Sequence, residues 1–317
     1  LVANPIDDKN QRLKLNAVIA DNGTGAVKLN TLGWIEFKQN STFSGGTFIN
    51  KGRAQITSVA SGVQTGFGTG PVHVFAGAQA FVWDNSKANV IVTNDFYIAG
   101  YGTSEDRGGA LRLTGNGIAY TCNLTLMGDA SIAGSATLTG KITGNAALLI
   151  GDNWNNGTVI FSNTVPHDYT GDTTINNPTA NGGNILRIGG ATLNNIMPHG
   201  AGKGNVILTS ASGSTWGEFD LNGSTQTLNG LSASGANSGN TWVESGAAGG
   251  VLVVGDNNTS STFGGVLRNN GGTFALVKIG SGTFSLTGGQ VPNSYTGNTT
   301  ISNGVLALSG TATISNS

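Results

Sequence analysis

The chain has 317 residues, 10% of them charged and 38% hydrophobic, and a formal net charge of −1. That balance lacks the charge excess of a disordered segment and the basic patch that nucleic acid or an anionic membrane requires, so neither is expected as a partner. With 52 glycines and only 6 prolines the composition disfavours helix and suits many short strands joined by sharp turns, and a single cysteine excludes an intrachain disulfide framework.

In chain order, the first segment is rich in charge. Lys9, Arg12, Lys14, Lys28, Lys38, Lys51 and Arg53 stand against Asp7, Asp8, Asp21 and Glu36, which reads as a solvated charged flank. Within it, Gly33-Trp34-Ile35-Glu36-Phe37 is a glycine followed by alternation, the mark of a strand. Phe43-Ser44-Gly45-Gly46-Thr47-Phe48-Ile49 comes next, with the pattern aromatic, Ser or Thr, Gly, any residue, Thr, any residue, Ile. Apolar alternation returns in Val72-His73-Val74-Phe75, Leu111-Arg112-Leu113 and Leu124-Thr125-Leu126. The aromatic-led pattern recurs as Tyr169-Thr170-Gly171-Asp172-Thr173-Thr174-Ile175, ahead of Leu186-Arg187-Ile188 and Val206-Ile207-Leu208. It recurs again as Tyr295-Thr296-Gly297-Asn298-Thr299-Thr300-Ile301, ahead of Val305-Leu306-Ala307-Leu308. Each burst is a predicted strand.

The aromatic-led copies start 169 − 43 = 126 and 295 − 169 = 126 residues apart. Short strands at a long period, with no helical crossover, predict an all-β fold: a right-handed parallel β-helix, or β-solenoid, forming a single elongated array. One continuous segment over 1–317 is expected, with super-repeats of 126 residues marked at 43–49, 169–175 and 295–301. Roughly 20 to 25 residues per coil would give on the order of 13 to 15 coils.

Aligning the copies identifies an inside face. Ala54, Leu186 and Leu306 match one another, as do Ile56, Ile188 and Leu308, and these positions stay apolar. Gln55, Arg187 and Ala307 vary and are expected in solvent. Likewise Thr47, Thr173 and Thr299 should face the same way as Ile49, Ile175 and Ile301, with Phe48, Thr174 and Thr300 opposite. No window approaches the roughly 18 apolar residues of a membrane span, and no signal-peptide pattern opens the chain, so export signal and anchor are expected elsewhere.

The segment from Leu276 to Gly288, Leu276-Val277-Lys278-Ile279-Gly280-Ser281-Gly282-Thr283-Phe284 and onward, followed by Tyr295 to Leu306, resembles the autotransporter-associated β-strand repeat, also called the passenger-associated transport repeat. Degenerate copies end at Thr47 and Thr173. The resemblance implies the passenger region of a large bacterial autotransporter-like protein, displayed outside the cell as a β-helical stalk. No catalytic residue comes with the motif, whose Gly, Thr and Tyr positions are architectural.

Chemistry on a β-helix would need paired carboxylates about 5 Å apart for retaining glycoside hydrolysis, or about 6.5 to 9.5 Å for inverting. The candidate acids are Glu105-Asp106-Arg107 in a Gly-rich turn, Asp168 near His167 and Asp172, and Glu218-Phe219-Asp220, read as two surface acids on one strand. His73, His167 and His199 occur singly, without metal-ligand spacing. Gly66-Phe67-Gly68-Thr69-Gly70 and Gly200-Ala201-Gly202-Lys203-Gly204 lack the rest of a phosphate loop. Cys122, alternating with Tyr120 and Leu124, reads as a small buried hydrophobe. Trp34, Trp83, Trp154, Trp216 and Trp242 either fill coils or stack on sugars.

No catalytic, cofactor-binding or metal site is therefore expected, and no cofactor. The expected function is a structural and adhesive surface fibre or stalk, extracellular, with filament formation in its reach. A polysaccharide-acting enzyme or a carbohydrate-binding β-helix is the alternative. Expected partners are further coils or copies joined end to end, and glycan or cell-surface ligands, with no membrane insertion of this segment.

Overall fold

A strand that alternates apolar and polar residues buries one face, and glycines and asparagines at its ends let the chain turn and lay the next strand alongside. The computed structural model describes residues 2–3, 12–57, 60–105, 108–115, 117–151, 156–176 and 182–314, and among them there are strands and turns but no helix. Among the described residues the strand ladders run parallel, each strand pairing with its counterpart one coil away, so the fold is a parallel β-solenoid. The chain divides into two compact units, 1–146 and 147–317.

The first unit has three stacks. One is built from Val2–Ala3, Leu29–Thr31, Thr47–Ile49, Val72–Val74, Phe96–Gly100, the start of Leu124–Gly134, and Ile142–Gly144. Another is built from Leu13–Leu15, Ile35–Phe37, Gly52–Thr57, Ala78–Trp83, Leu111–Thr114 and the end of Leu124–Gly134. The third holds Gly62–Val63, Val90–Val92, Ile118–Tyr120 and Ala136–Leu138. Edge-to-face aromatic pairs run through the core from Phe37 to Phe67, Phe96 and Tyr120, with centroids 5.4 to 6.0 Å apart.

The second unit has four stacks. Leu148–Ile150, Thr173–Ile175, Val206–Thr209 and Leu231–Ser234 form one, and Gly157–Phe161, Asn184–Ile188, Gly217–Asp220, Trp242–Ser245 and Val266–Asn269 another. Thr225–Leu228, Gly250–Val254, Phe274–Lys278 and Thr299–Ile301 form the third, and Ser261–Phe263, Thr283–Leu286 and Val305–Leu308 the fourth. Coil length varies. Thr125 and Thr143, neighbours on successive coils of the first unit, are 18 residues apart, whereas Asn176 and Thr209 in the second are 33 apart. Coils that run to 33 residues in place of the expected roughly 20 to 25 bring the total to about 12 turns.

The inside face lies where alternation puts it. Ala54, Ile56, Leu186 and Ile188 are buried, as are Thr47 with Ile49 and Thr173 with Ile175, while Phe48 and Thr174 are half-buried on the other side. The recurring aromatic has a definite task. The hydroxyls of Tyr169 and Thr173 lie 2.6 Å apart, and so do those of Tyr295 and Thr299. Where the aromatic is Phe43, Thr47 turns its hydroxyl to the Phe67 carbonyl instead, at 2.8 Å.

Three expectations are corrected. Gln55 is buried rather than solvated, because its amide donates to the Thr57 hydroxyl at 2.9 Å within a covered polar network. Leu308 is 44% exposed and Leu306 half-buried, and in the third copy of the aromatic-led pattern Ile301 is 53% exposed and Thr299 half-buried, since Thr299–Ile301 and Val305–Leu308 each pair on only one side among the described residues. Cys122 sits in the turn between two strands, half-buried, and its thiol donates to the Thr93 carbonyl. Burial, with Asp95 nearby, pushes that thiol up from its ordinary value, away from the reactive thiolate.

Lys278 occupies an inward position of the Phe274–Lys278 strand beside Leu276 and is fully buried. Its ammonium donates to the carbonyls of Ile279, Gly280 and Asn303, and burial pulls its pKa down.

Candidate functional site

Two groups of buried acids stand out on the outer faces, one in each unit. In the second unit, Arg187 and Asp220 are register partners, Asp220 pairs in turn with Glu244, and Glu244 with Arg268. Glu218 lies beside Asp220 on the same side of its strand. The acids are not on the surface, as expected of Glu218 and Asp220, but buried: 6% exposed for Glu218 and 0% for Asp220 and Glu244. Long neighbours cover them. Arg187 Nε donates to Asp220 at 2.7 Å, Arg268 Nε to Glu244 at 2.5 Å, and the Arg268 guanidinium lies over the Trp242 ring, 4.3 Å from its centroid.

The carboxyl oxygens of Glu218, Asp220 and Glu244 come within 4.8 Å of one another. That separation suits a cation or a retaining pair of carboxylates. The carboxylates of Asp220 and Glu244 are already engaged. Asp220 accepts the backbone N–H of Asn222 and of Gly246, each at 2.8 Å, besides Arg187, and Glu244 accepts the Asn270 amide besides Arg268. Burial first, then the neighbouring Glu244, pushes Glu218 up to about 8 against the pull of Arg268.

In the first unit, Glu36 is likewise buried, not part of a solvated flank. Lys38 reaches it at 2.6 Å, Arg12 at 2.8 Å, and the Thr57 hydroxyl at 2.6 Å. Burial raises its pKa, but Lys38, Thr57 and Arg12 outweigh that and hold the carboxyl below the usual range.

The remaining candidates do not assemble. Asp106 and Arg107 lie outside the described residues, and Glu105 is exposed. His167 is buried, in edge contact with Phe161 at 4.4 Å, whereas Asp168 is exposed and Asp172 accepts the Asn205 N–H at 2.7 Å. His73 is stacked between Phe48 and Tyr97 on successive coils, at 4.7 and 4.6 Å, so the rings cover each other's faces. His199 pairs with Asp256 at 2.8 Å, a contact 57 residues distant that local patterns do not show. The turn at Gly200 is filled by Asn229, which accepts the Gly200 N–H at 2.7 Å and donates to the Lys203 carbonyl, leaving no cradle for a phosphate.

The tryptophans separate clearly. Trp34 is 3% exposed under the Arg53 guanidinium, Trp216 and Trp242 pack together at 5.9 Å, and Trp154 lies outside the described residues. Trp83 is 38% exposed and lines an open cavity of about 440 Å³ with Asp84, Ser86, Lys87, Ala88 and Gly115.

Parallel coils, a recurring aromatic and threonine pair, and buried acids held by arginines define a solenoid repeat protein. More particularly, the chain carries passenger-associated transport repeats: the Passenger-associated-transport-repeat family matches residues 37–53 and 276–308. It is also similar to the "Adhesin BmaC autotransporter" of Brucella suis biovar 1 (strain 1330), with 30% identity over 205 residues. That alignment covers 62% of this chain and 5% of the adhesin's length. No solved structure matches.

Proposed function

We propose that this chain is a segment of an adhesive passenger, displayed outside a bacterial cell, in which the solenoid acts as a stalk and its outer faces make contacts. What supports the reading most is the occurrence of passenger repeats and 30% identity to an autotransporter adhesin in a chain whose recurring residues build the fold. The acids of the Glu218 cluster are structural in this proposal and the chain is not an enzyme. Beads coated with the purified chain should attach to cultured cells more than beads coated with an unrelated solenoid, and release no reducing sugar from polysaccharides. Equal attachment of both beads, or turnover of any glycan, would count against it.

Self-association belongs to the same proposal. Ile301, Val305 and Leu308 are exposed apolar side chains on the last described strands, and a further coil or a second copy would remove them from water. Sedimentation velocity across a hundredfold concentration range should then show growing species. A constant monomer would remove this part of the proposal.

A further inference from the structure

The cavity at Trp83 has the makings of a binding site, and its construction follows from the local sequence. Trp83 ends the Ala78–Trp83 strand and is held by register pairing to Thr57 on one side and Thr114 on the other. Beyond it the chain reverses in a tight turn. The Lys87 N–H donates to the Asp84 carbonyl at 2.9 Å, and the two central residues, Asn85 and Ser86, have φ of 49° and 62°. Positive φ at both central positions marks a type I′ turn, a conformation with little freedom left to lose.

Asp84 anchors this turn. Its backbone N–H donates to the Thr114 carbonyl at 3.1 Å, its Oδ1 accepts the Ser86 N–H at 2.9 Å, and the residue is only 4% exposed. Room for the carboxylate comes from Gly115, where a Cβ would lie 1.9 Å from Asp84 Oδ2 and where φ is +146°. The result is a buried Asp84 that fixes the turn in the cavity wall, an exposed indole beside it, and the Ser86 hydroxyl and Lys87 ammonium on the same turn.

We propose that this cavity binds a neutral hexopyranose-containing oligosaccharide, with the Trp83 indole against the apolar C–H face of one sugar ring and Ser86 and Lys87 at its hydroxyls, on the turn that Asp84 holds in place. An indole face matched with a few fixed polar groups suits a ligand whose ring is apolar on its face and polar at its edge. The one acid and one base lining the cavity cancel, which favours a neutral sugar over a uronic acid or a sulfated one. Its volume of about 440 Å³ lies within the roughly 300–1,000 Å³ of small-molecule sites. None of the other described tryptophans offers this combination, since Trp34, Trp216 and Trp242 are engaged by arginines or by each other.

The inference rests on the adhesive reading for its biology but is tested apart from it. The 317-residue chain, Trp83→Ala and Ala88→Arg would be compared on an array of neutral and acidic oligosaccharides, with titration of the best neutral ligand followed by calorimetry. Ala88 is exposed at the cavity, so arginine there obstructs the site without touching the core. The expected result is binding to neutral glycans by the unaltered chain, at least a tenfold loss in Trp83→Ala, a comparable loss in Ala88→Arg, and unchanged circular dichroism for the latter. Should Trp83→Ala misfold, Ala88→Arg alone decides. No glycan bound by the unaltered chain, or equal binding by Ala88→Arg, overturns the proposal. Bead attachment to cells that survives both substitutions would leave the adhesive reading standing while this site falls.

Discussion

Glu36 in the first unit and Glu218 in the second are both acids on the outer face of a strand, both covered by neighbouring coils, yet their environments drive them in opposite directions. Glu36 meets Lys38, Arg12 and the Thr57 hydroxyl, and is held below the usual carboxylate range despite its burial. Glu218 shares its surroundings with Asp220 and Glu244, whose arginines are already paired, and is pushed up to about 8. The outer face of this solenoid thus sets the chemistry of an acid by the groups placed beside it, from its own coil as with Lys38 or from an adjacent one as with Arg12 and Glu244, not by depth alone.

Removing one acid from each cluster should separate the two most widely. Asp220→Ala leaves Arg187 and the N–H groups of Asn222 and Gly246 without their acceptor, and should cost about 3–5 kcal/mol in urea unfolding. Glu36→Ala should cost less, about 1–3 kcal/mol, because the groups shown on Glu36 are the side chains of Arg12, Lys38 and Thr57, whereas Asp220 also holds two backbone N–H groups. Arg12 and Lys38 can turn to water, as Arg187 can. Equal losses would show that the two clusters do not differ as described.

The next effect is in pH. Glu218 has a folded pKa raised from its ordinary 4.5 to about 8, so the native chain keeps a proton that the unfolded chain releases. Its contribution is fully present below pH 4.5 and is lost as pH rises towards about 8, at up to about 1.4 kcal/mol per pH unit. Glu36 has the reverse sign: its contribution holds above its ordinary value of 4.5 and is lost as pH falls through its lowered folded pKa. Glu218→Gln, which keeps a neutral side chain of the same shape, should flatten the upper limb of the stability curve and leave the acid limb alone. An unchanged upper limb would assign the titration to another group.

The smallest expected effect sharpens the first unit only. Lys38→Ala should cost about 0.5 kcal/mol, diminishing in high salt, since Arg12 still faces Glu36 and the lysine is partly solvated. A loss as large as that of Glu36→Ala would mean that Lys38 alone carries the site.

Period-2 alternation made the core legible, because burial at Ala54, Ile56, Leu186 and Ile188 depends only on which side of its own strand a residue faces. The outer face was not legible by the same rule. Glu218, Asp220 and Gln55 face outward as the alternation says, but whether an outward residue is wet depends on side chains a full coil away, such as Arg268, 24 residues from its partner Glu244. No constant spacing leads to such neighbours when the step ranges from 18 to 33 residues. Nor did five tryptophans in the sequence reveal that Trp83 stands exposed at a cavity while Trp34 is covered by an arginine. The recurring aromatic was visible as a pattern, and its hydrogen bond to the threonine four residues on explains why tyrosine occurs there.

The unequal coils carry a consequence for how such a chain can change over generations. Between its shortest and longest described steps there is a difference of 33 − 18 = 15 residues, yet strands on both kinds of coil meet in clean parallel register. Lengthening a coil at a corner therefore leaves the buried rows untouched and adds material only at the periphery. Corners are the places where insertions can accumulate and recombine without disturbing the scaffold, so novelty in a protein of this design should be sought in its turns, where the segment from Asp84 to Lys87 already lies.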